Sequence, residues 1–443
     1  MWVGGTTCCA AAESLQAASL STGRVGPCRA CAAPFWLMMP AESTASKTDE
    51  GRRARNILVF SPNRNPLHDS RLLRLCAYLA GSGWAVRLMW VQGSIDRIPI
   101  LPVYAQACPC VVPGRFFRDE PGKVRRLIKL LRTTWYVARA LRREKSPFLW
   151  VSGLSSLALT APYLVLHWRV RFVYDAREYS LGQHDCIGRN RKSIRQRLMI
   201  CGIVTTEQWA SRRAVAIVHT NRWRRRLFEH SHIVARAKSF IVENLHCRSL
   251  DDIGEEPPSS TAVIVGYVGL MSPGRGLDLL VESLRLLPSD YNVTIVGPGT
   301  EEQEAAILRH AENIGVEGRV SLVSAVPYWE LQRVCRTFTC GTLLIEDSCL
   351  NNRYCSPNKI FDFIAAGCPS VVTGVPPLRD LVRSFGIGIV VPEPIDAANV
   401  AAAIRRIVEN HALFHRSCVL ASDNMDWMTQ SRTVDRIMAM LGS

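Results

Sequence analysis

Three features of the chain predict an α/β protein built from two doubly wound domains. Short β-branched runs alternate with amphipathic segments from Asn56 onward, an acidic Pro/Ser-rich stretch at Leu245–Ala262 interrupts the alternation once, and the pattern then resumes. Such alternation argues for parallel strands covered by helices on both faces. At 443 residues the chain is too long for one compact core and suits two domains of roughly 150–200 residues each.

In the first half, "NILVFS" from Asn56 reads as the opening strand, "DSRLLRLCAYLAGSG" as a helix stopped by glycines, and "AVRLMWV" as the next strand. A basic helical stretch, Gly122 to Glu144, leads to the strands "FLWVSG", "RFVYDA", "AVAIVHT" and "SFIVEN", with helices between them. The most apolar of these helices, "LSSLALTAPYLVLHW" from Leu154 to Trp168, is shorter than the roughly 20 residues of a membrane span, contains Pro162 and ends in charge. A buried helix is expected there. In the second half the strands "AVIVGYVG", "YNVTIVG", "RVSLVS" and "GTLLIE" alternate with the helices "GLDLLVESLRLL", "EEQEAAILRHAENIG" and "YWELQRVCRT". The expected organisation is a structureless leader over 1–54, a first domain over 55–244, a linker over 245–262, a second domain over 263–420 and a terminal helix over 421–443. Ligands of doubly wound sheets bind beyond the carboxyl ends of the strands, which places the site in the cleft between the domains.

Composition narrows the classes of function. The formal net charge of +16 implies an anionic partner: nucleic acid, an acidic membrane surface or a phosphorylated ligand. The 16 cysteines are scattered, mostly singly, through apolar segments, among them Cys76, Cys201, Cys335 and Cys368. They read as buried thiols of a reducing compartment rather than as a disulfide framework. The pair in "CRAC", Cys28 and Cys31, has no second pair at zinc-ribbon spacing, so no metal is expected. The leader lacks the basic start and apolar core of a secretory signal and reads as disorder, a transit peptide or an over-long start before Met39.

One stretch concentrates unusual chemistry: "RYCSPNKIFDFIAAGCPSVV", Arg353 to Val372. Ser356 suits an N-cap and Pro357 the first helical position. The first-turn amides then form an anion site. Lys359 opposes the helix dipole at that end, a mismatch that an anion would offset. Asp362, three residues on, is placed to accept from a ligand's hydroxyls. The alternative is a well-capped surface helix with an incidental lysine.

From "VGYVGLMSPGRGLDLLVESL" through "VTIVGPGTEEQEAAIL" to "SPNKIFDFIAAGCPSVV", the second half resembles the C-terminal domain of family 4 glycosyltransferases, retaining enzymes of the two-domain GT-B fold. That resemblance implies two Rossmann-like domains facing a cleft, with a C-terminal helix crossing back to the first domain. It implies donor binding by Gly269, Arg275, Gly276, Gly297, Asn351, Asn352, Ser356, Asn358, Lys359 and Asp362. Arg275 matches the second of the family's two basic positions, whereas Leu270 stands at the first. Of the family's paired glutamates, the first position holds Tyr354 and the second Asp362. Either the sugar contact comes from Asn351 and Asn352 in the preceding loop, or the donor differs from the family's commoner ones.

In the first domain the resemblance is looser. The loop "SPNRNPLHD" carries His68 and Asp69, the latter also a natural helix cap. "FVYDAREYS" aligns with a segment that often reads Asp-x-His-Glu, so Asp175 and Glu178 match and Arg177 replaces the histidine. His68, Asp175 and Glu178 are the catalytic candidates, to orient the acceptor or move its proton; loop caps and ion-pair partners are the alternative for the two carboxylates.

The resemblance implies a metal-independent transferase with no cofactor beyond its nucleoside-diphosphate-sugar donor. It further implies a carbohydrate or lipid-linked acceptor and a cytoplasmic setting in cell-surface polysaccharide or glycolipid assembly. The same architecture serves sugar-nucleotide epimerases, and a non-catalytic nucleotide-sugar or polysaccharide scaffold is the other alternative. Gly122 to Glu144, with Val124, Leu127, Ile128, Leu131 and Trp135 on one face, reads either as a helix lying on anionic lipid or as a cover for the sheet. "RNRKSIRQRLMI" from Arg189 is similar. The run "RWRRRLF" at Arg222 has the arginine-aromatic mixture of an RNA contact but belongs to no recognised module, so nucleic acid is not expected.

Overall fold

The computed structural model describes residues 55–61, 66–93, 101–102, 105–112, 123–183, 193–246, 262–356 and 358–443. The leader, residues 247–261 of the expected linker, and Pro357 lie outside the described residues. Two parallel sheets carry the architecture. The first runs β3-β2-β1-β4-β5-β6-β7, from β1 (Arg55–Phe60), β2 (Trp84–Gly93), β3 (Gln106–Val112), β4 (Phe148–Ser152), β5 (Arg171–Ala176), β6 (Ala216–His219) and β7 (Ser239–Ile241). The second runs β10-β9-β8-β11-β12-β13, from β8 (Val263–Val268), β9 (Tyr291–Val296), β10 (Val320–Val323), β11 (Cys340–Leu343), β12 (Ser370–Val372) and β13 (Gly388–Val390).

The continuous apolar runs of the sequence follow from this layering. Ile57, Leu58, Val59 and Phe60 of β1 are all fully buried, because a central parallel strand carries helices on both faces. Ile57 and Val59 pack with Leu72, Leu75 and Leu79 of the helix Ser70–Gly81. Leu58 and Phe60 pack on the opposite side with Val137, Leu141, Leu157 and Leu164. Strand β3 was not expected, since Pro109 interrupts its pattern. It forms the edge of its sheet, where one side of the ladder needs no donor.

The domains are joined at two adjacent crossings. Leu245 already packs in a second-domain core with Met425, while Trp427, two residues after Met425, belongs to the first-domain core. The Trp427 amide donates to the His246 carbonyl at 2.8 Å, and His246 and Asp426 form a β-bridge. Beyond it the helix Ser431–Gly442 lays Val434, Ile437, Met438 and Leu441 into the first-domain core. Each such burial is worth about 2 kcal/mol. Tyr78 donates to Asp435 at 2.7 Å and Arg171 to the Met440 carbonyl at 2.7 Å.

Candidate active site

The carboxyl ends of both sheets face a cavity of about 710 Å³. From the first domain its wall takes Gly153–Ser155 after β4, Arg177, Glu178 and Ser180 after β5, then Thr220 and Arg224. From the second domain it takes Tyr267 to Leu270 at the end of β8, Arg275, the end of β11, Asn351, Asn352, Cys355, Ser356, Asn358 and Lys359. Among the described residues four cations, Arg177, Arg224, Arg275 and Lys359, thus share the wall with one carboxylate, Glu178.

On the donor side, the strand-turn-helix after β8 is built on glycine. Gly276 has φ +65°, and a Cβ there would meet Leu344 at 2.5 Å. Gly297 has φ +153° and faces the Gly269 carbonyl so closely that no side chain fits. Both therefore shape the wall, while Gly269 lines it. Arg275 lines the cavity, and among the described residues it makes no hydrogen bond or ion pair.

Lys359 reaches the wall but also pairs with Asp362 at 3.3 Å. Asp362 itself is 1% exposed and absent from the wall. Burial pushes its carboxyl up, but Lys359, His246 and Arg74 outweigh that and hold it at about 2. Its place in the described structure is an anchor between the helix Asn358–Ala365 and His246 at the crossing, 3.6 Å away, rather than a cleft-facing acceptor. The Ser356 hydroxyl is placed to donate to the Thr220 carbonyl at 3.4 Å. The Ser356 carbonyl accepts from Asn244 at 3.2 Å, so this turn also joins the domains.

The acceptor side departs further from expectation. Asp175 is fully buried and takes a bidentate ion pair from Arg71, at 3.0 and 2.9 Å, with Trp150 donating at 3.4 Å. Arg71 continues to the Val242 carbonyl at 2.7 Å and to Asn244 at 2.8 Å. The carboxylate is thereby locked toward the crossing and does not reach the cavity. Asp69 both caps the helix Ser70–Gly81, accepting from the Leu72 amide at 3.2 Å, and holds Arg177 in a bidentate pair at 2.5 and 2.8 Å. Burial opposes the charge on Arg177, but Asp69 and Asp175 outweigh it and raise its pKa. The His68 side chain lies outside the described residues. Of the catalytic candidates whose side chains are described, Glu178 lines the cavity and Asp175 does not.

Asn351 lines the cavity too, but its Oδ1 accepts from the Tyr179 amide at 3.1 Å and from Arg224 at 3.1 Å. Asn352 donates to Ser348 at 3.1 Å. The run "RWRRRLF" proves to be an interdomain clasp. Arg224 reaches the Tyr354 carbonyl at 3.1 Å, Trp223 stacks on Tyr354 with centroids 5.6 Å apart, and Arg222 pairs with Asp380 at 2.8 Å. Asn221 adds bonds to the Tyr354 and Cys355 carbonyls, each 3.2 Å. Sequence reading missed Arg224 because its partners lie about 130 residues away and no local spacing reports them.

Two facing Rossmann-like domains, a ligand cleft between their strand ends and a C-terminal crossing helix define the GT-B fold. Comparison with solved structures agrees. Sucrose-phosphate synthase from Thermosynechococcus elongatus superposes with a TM-score of 0.68 at 14% identity, over 87% of this chain and 99% of that one. Anabaena Alr3699/HepE in complex with UDP-glucose gives 0.61 at 13% identity, over 87% and 99%. WaaG, a glycosyltransferase involved in lipopolysaccharide biosynthesis, gives 0.59 at 14% identity, over 85% and 98%. Residues 262–410, most of the second domain, match the family described as glycosyl transferases group 1. No curated protein matches the chain by sequence.

Proposed function

We propose that the protein is a retaining, metal-independent glycosyltransferase of the family 4 type, moving a sugar from a nucleoside-diphosphate-sugar to an acceptor hydroxyl. The observation that carries this reading is the cleft wall of four cations and one carboxylate, in a fold whose solved neighbours include a complex with UDP-glucose. As the glycosidic bond breaks, negative charge grows on the leaving diphosphate. Arg275 and the first-turn amides of the helix Asn358–Ala365 are the groups assigned to stabilise it, with Lys359, paired to Asp362, the weaker contributor. These basic groups supply the charge that a metal otherwise brings. Glu178 is the group assigned to orient the acceptor hydroxyl, and the leaving phosphate takes the proton in a front-face attack. Closure of the cleft excludes water from the donor.

A lipid-linked acceptor in surface polysaccharide or glycolipid assembly suits the exterior of the first domain. On the helix Lys123–Glu144, Ile128, Leu131 and Trp135 are each more than half exposed, while Val137 and Leu141 face the core. Arg132, Arg139, Arg142 and Arg143 are exposed beside them. An outward apolar stripe flanked by arginines supports peripheral contact with an anionic leaflet. All the described cysteines are free and among the described residues no helix is long and apolar enough to cross a membrane; the thiols suit a cytoplasmic setting.

The test is incubation of purified protein, without added metal, against a panel of nucleoside-diphosphate sugars, with released diphosphate followed by mass spectrometry. Release from one donor is expected, falling at least about tenfold in Arg275→Ala. Neither release nor binding of any donor would sink the proposal. A second reading, a non-catalytic nucleotide-sugar scaffold, is favoured by one observation: among the described residues no donor-side carboxylate lines the cavity, since Tyr354 is stacked on Trp223 and Asp362 is buried. Donor binding without release, with and without an acceptor extract, would select it.

A further inference from the structure

Arg224 is 7% exposed yet lines the cavity. Its guanidinium is held by neutral acceptors: the Arg177 and Tyr354 carbonyls, the Thr220 hydroxyl, and the Asn351 side chain and carbonyl. Among the described residues no carboxylate forms an ion pair with it, whereas Arg71, Arg177 and Lys359 each have one. A buried charge without a counter-ion is costly, and burial accordingly lowers the pKa of Arg224. The other unpaired cation of the wall is Arg275. Cys355 lies within the fields of both, and burial pushes its thiol up to about 11 against them.

We infer that Arg224, supplied by the first domain across the clasp, provides the second positive charge for the donor diphosphate, in place of the cation missing at Leu270. This rests on the nucleotide-sugar reading and goes beyond it, because Lys359, the other cation of the donor side, is already paired with Asp362. All five N–H groups of Arg224 have protein partners, so it acts as a fixed charge and not as a new donor. A charge that needs no reorganisation when the leaving group forms is the kind that favours a transition state.

The experiment is calorimetric titration of UDP, GDP and ADP, each beside its uncharged nucleoside, into wild type, Arg224→Gln and Arg224→Lys. For whichever base binds, Arg224→Gln is expected to weaken the diphosphate on the order of tenfold and the nucleoside less than about threefold, with Arg224→Lys restoring most of the loss. Equal weakening of diphosphate and nucleoside in both variants overturns the inference and leaves Arg224 a structural clasp. If Arg224→Gln does not fold, Arg224→Lys decides. Diphosphate binding kept within about threefold supports the fixed charge; loss matching that of the nucleoside overturns it. Wild type that binds no diphosphate overturns the nucleotide-sugar reading, and the inference with it.

Discussion

Replacing Asp175 and Glu178 in turn separates fold from chemistry at the end of β5. Asp175 and Arg71 are both buried, with side chains 1% and 2% exposed, and are joined at 2.9 and 3.0 Å. Removing one partner of such a pair leaves an uncompensated charge and costs about 3–5 kcal/mol. The cost here belongs at the upper end, because Arg71 also holds the Val242 carbonyl and Asn244, which fix the chain at the crossing. With about 2–4 °C lost per kcal/mol for domains of this size, Asp175→Ala should lower the melting temperature by roughly 10 °C or more. Turnover per folded molecule, measured well below that temperature, should stay within severalfold of wild type. Glu178→Gln should do the reverse: melting unchanged within a degree or two, turnover reduced about a hundredfold. Differential scanning calorimetry and initial rates on the same preparations provide both numbers. An Asp175→Ala protein that melts like wild type but is inactive would refute the reasoning, since the carboxylate would then have to reach the reacting atoms.

Glu207 carries a pH prediction. It is 1% exposed, accepts from Tyr174 at 2.8 Å and Ser180 at 3.1 Å, and lies 3.6 Å from His232. Burial raises its carboxyl to about 7, with the Tyr174 and Ser180 bonds pulling back. Since the folded value exceeds the unfolded one, the folded state binds the proton more tightly; its contribution is complete below about 4.5 and is lost as pH rises through about 7. The amplitude is on the order of 3 kcal/mol, and denaturant melts of Glu207→Gln should show that slope removed; a slope identical to wild type would count against it. For the surface stripe, replacing Ile128, Leu131 and Trp135 together by Ser should reduce partition onto vesicles containing phosphatidylserine by tenfold or more, without changing release of diphosphate from a soluble donor. Unchanged partition would assign the stripe to another partner.

Much of the fold was legible because parallel strands buried on both faces write continuous apolar runs into the chain, as in "NILVF" of β1. Strand β3 was not legible because Pro109, ordinarily a mark against a strand, is tolerated at an edge. At the site, residues at strand ends and first helical turns reach the cavity that the fold places there: Gly269, Arg275, Ser356, Asn358, Lys359 and Glu178 all line it. The two aspartates were not, and the reason is shared. A one-dimensional motif gives the position of Asp175 or Asp362 but not the direction of its carboxylate. In each case that direction is set by a distant partner, Arg71 from 104 residues away and His246 from the other side of the linker.

The departures from the family pattern become coherent when the charges are followed across the cleft. Asp69 pairs with Arg177 and Asp362 with Lys359, so the cations of the wall that make no ion pair among the described residues are Arg224 and Arg275, one on each domain. Tyr354, at a position where the resembled enzymes carry an acid, provides instead the carbonyl that holds Arg224 and the ring that stacks on Trp223. Leu270 thus leaves the donor domain one cation short of the resembled pattern, and Tyr354 brings no carboxylate to the arginine of the facing domain. Because Arg224 meets Tyr354 and Asn351 only when the domains are in contact, closing the cleft and binding an anion within it favour one another.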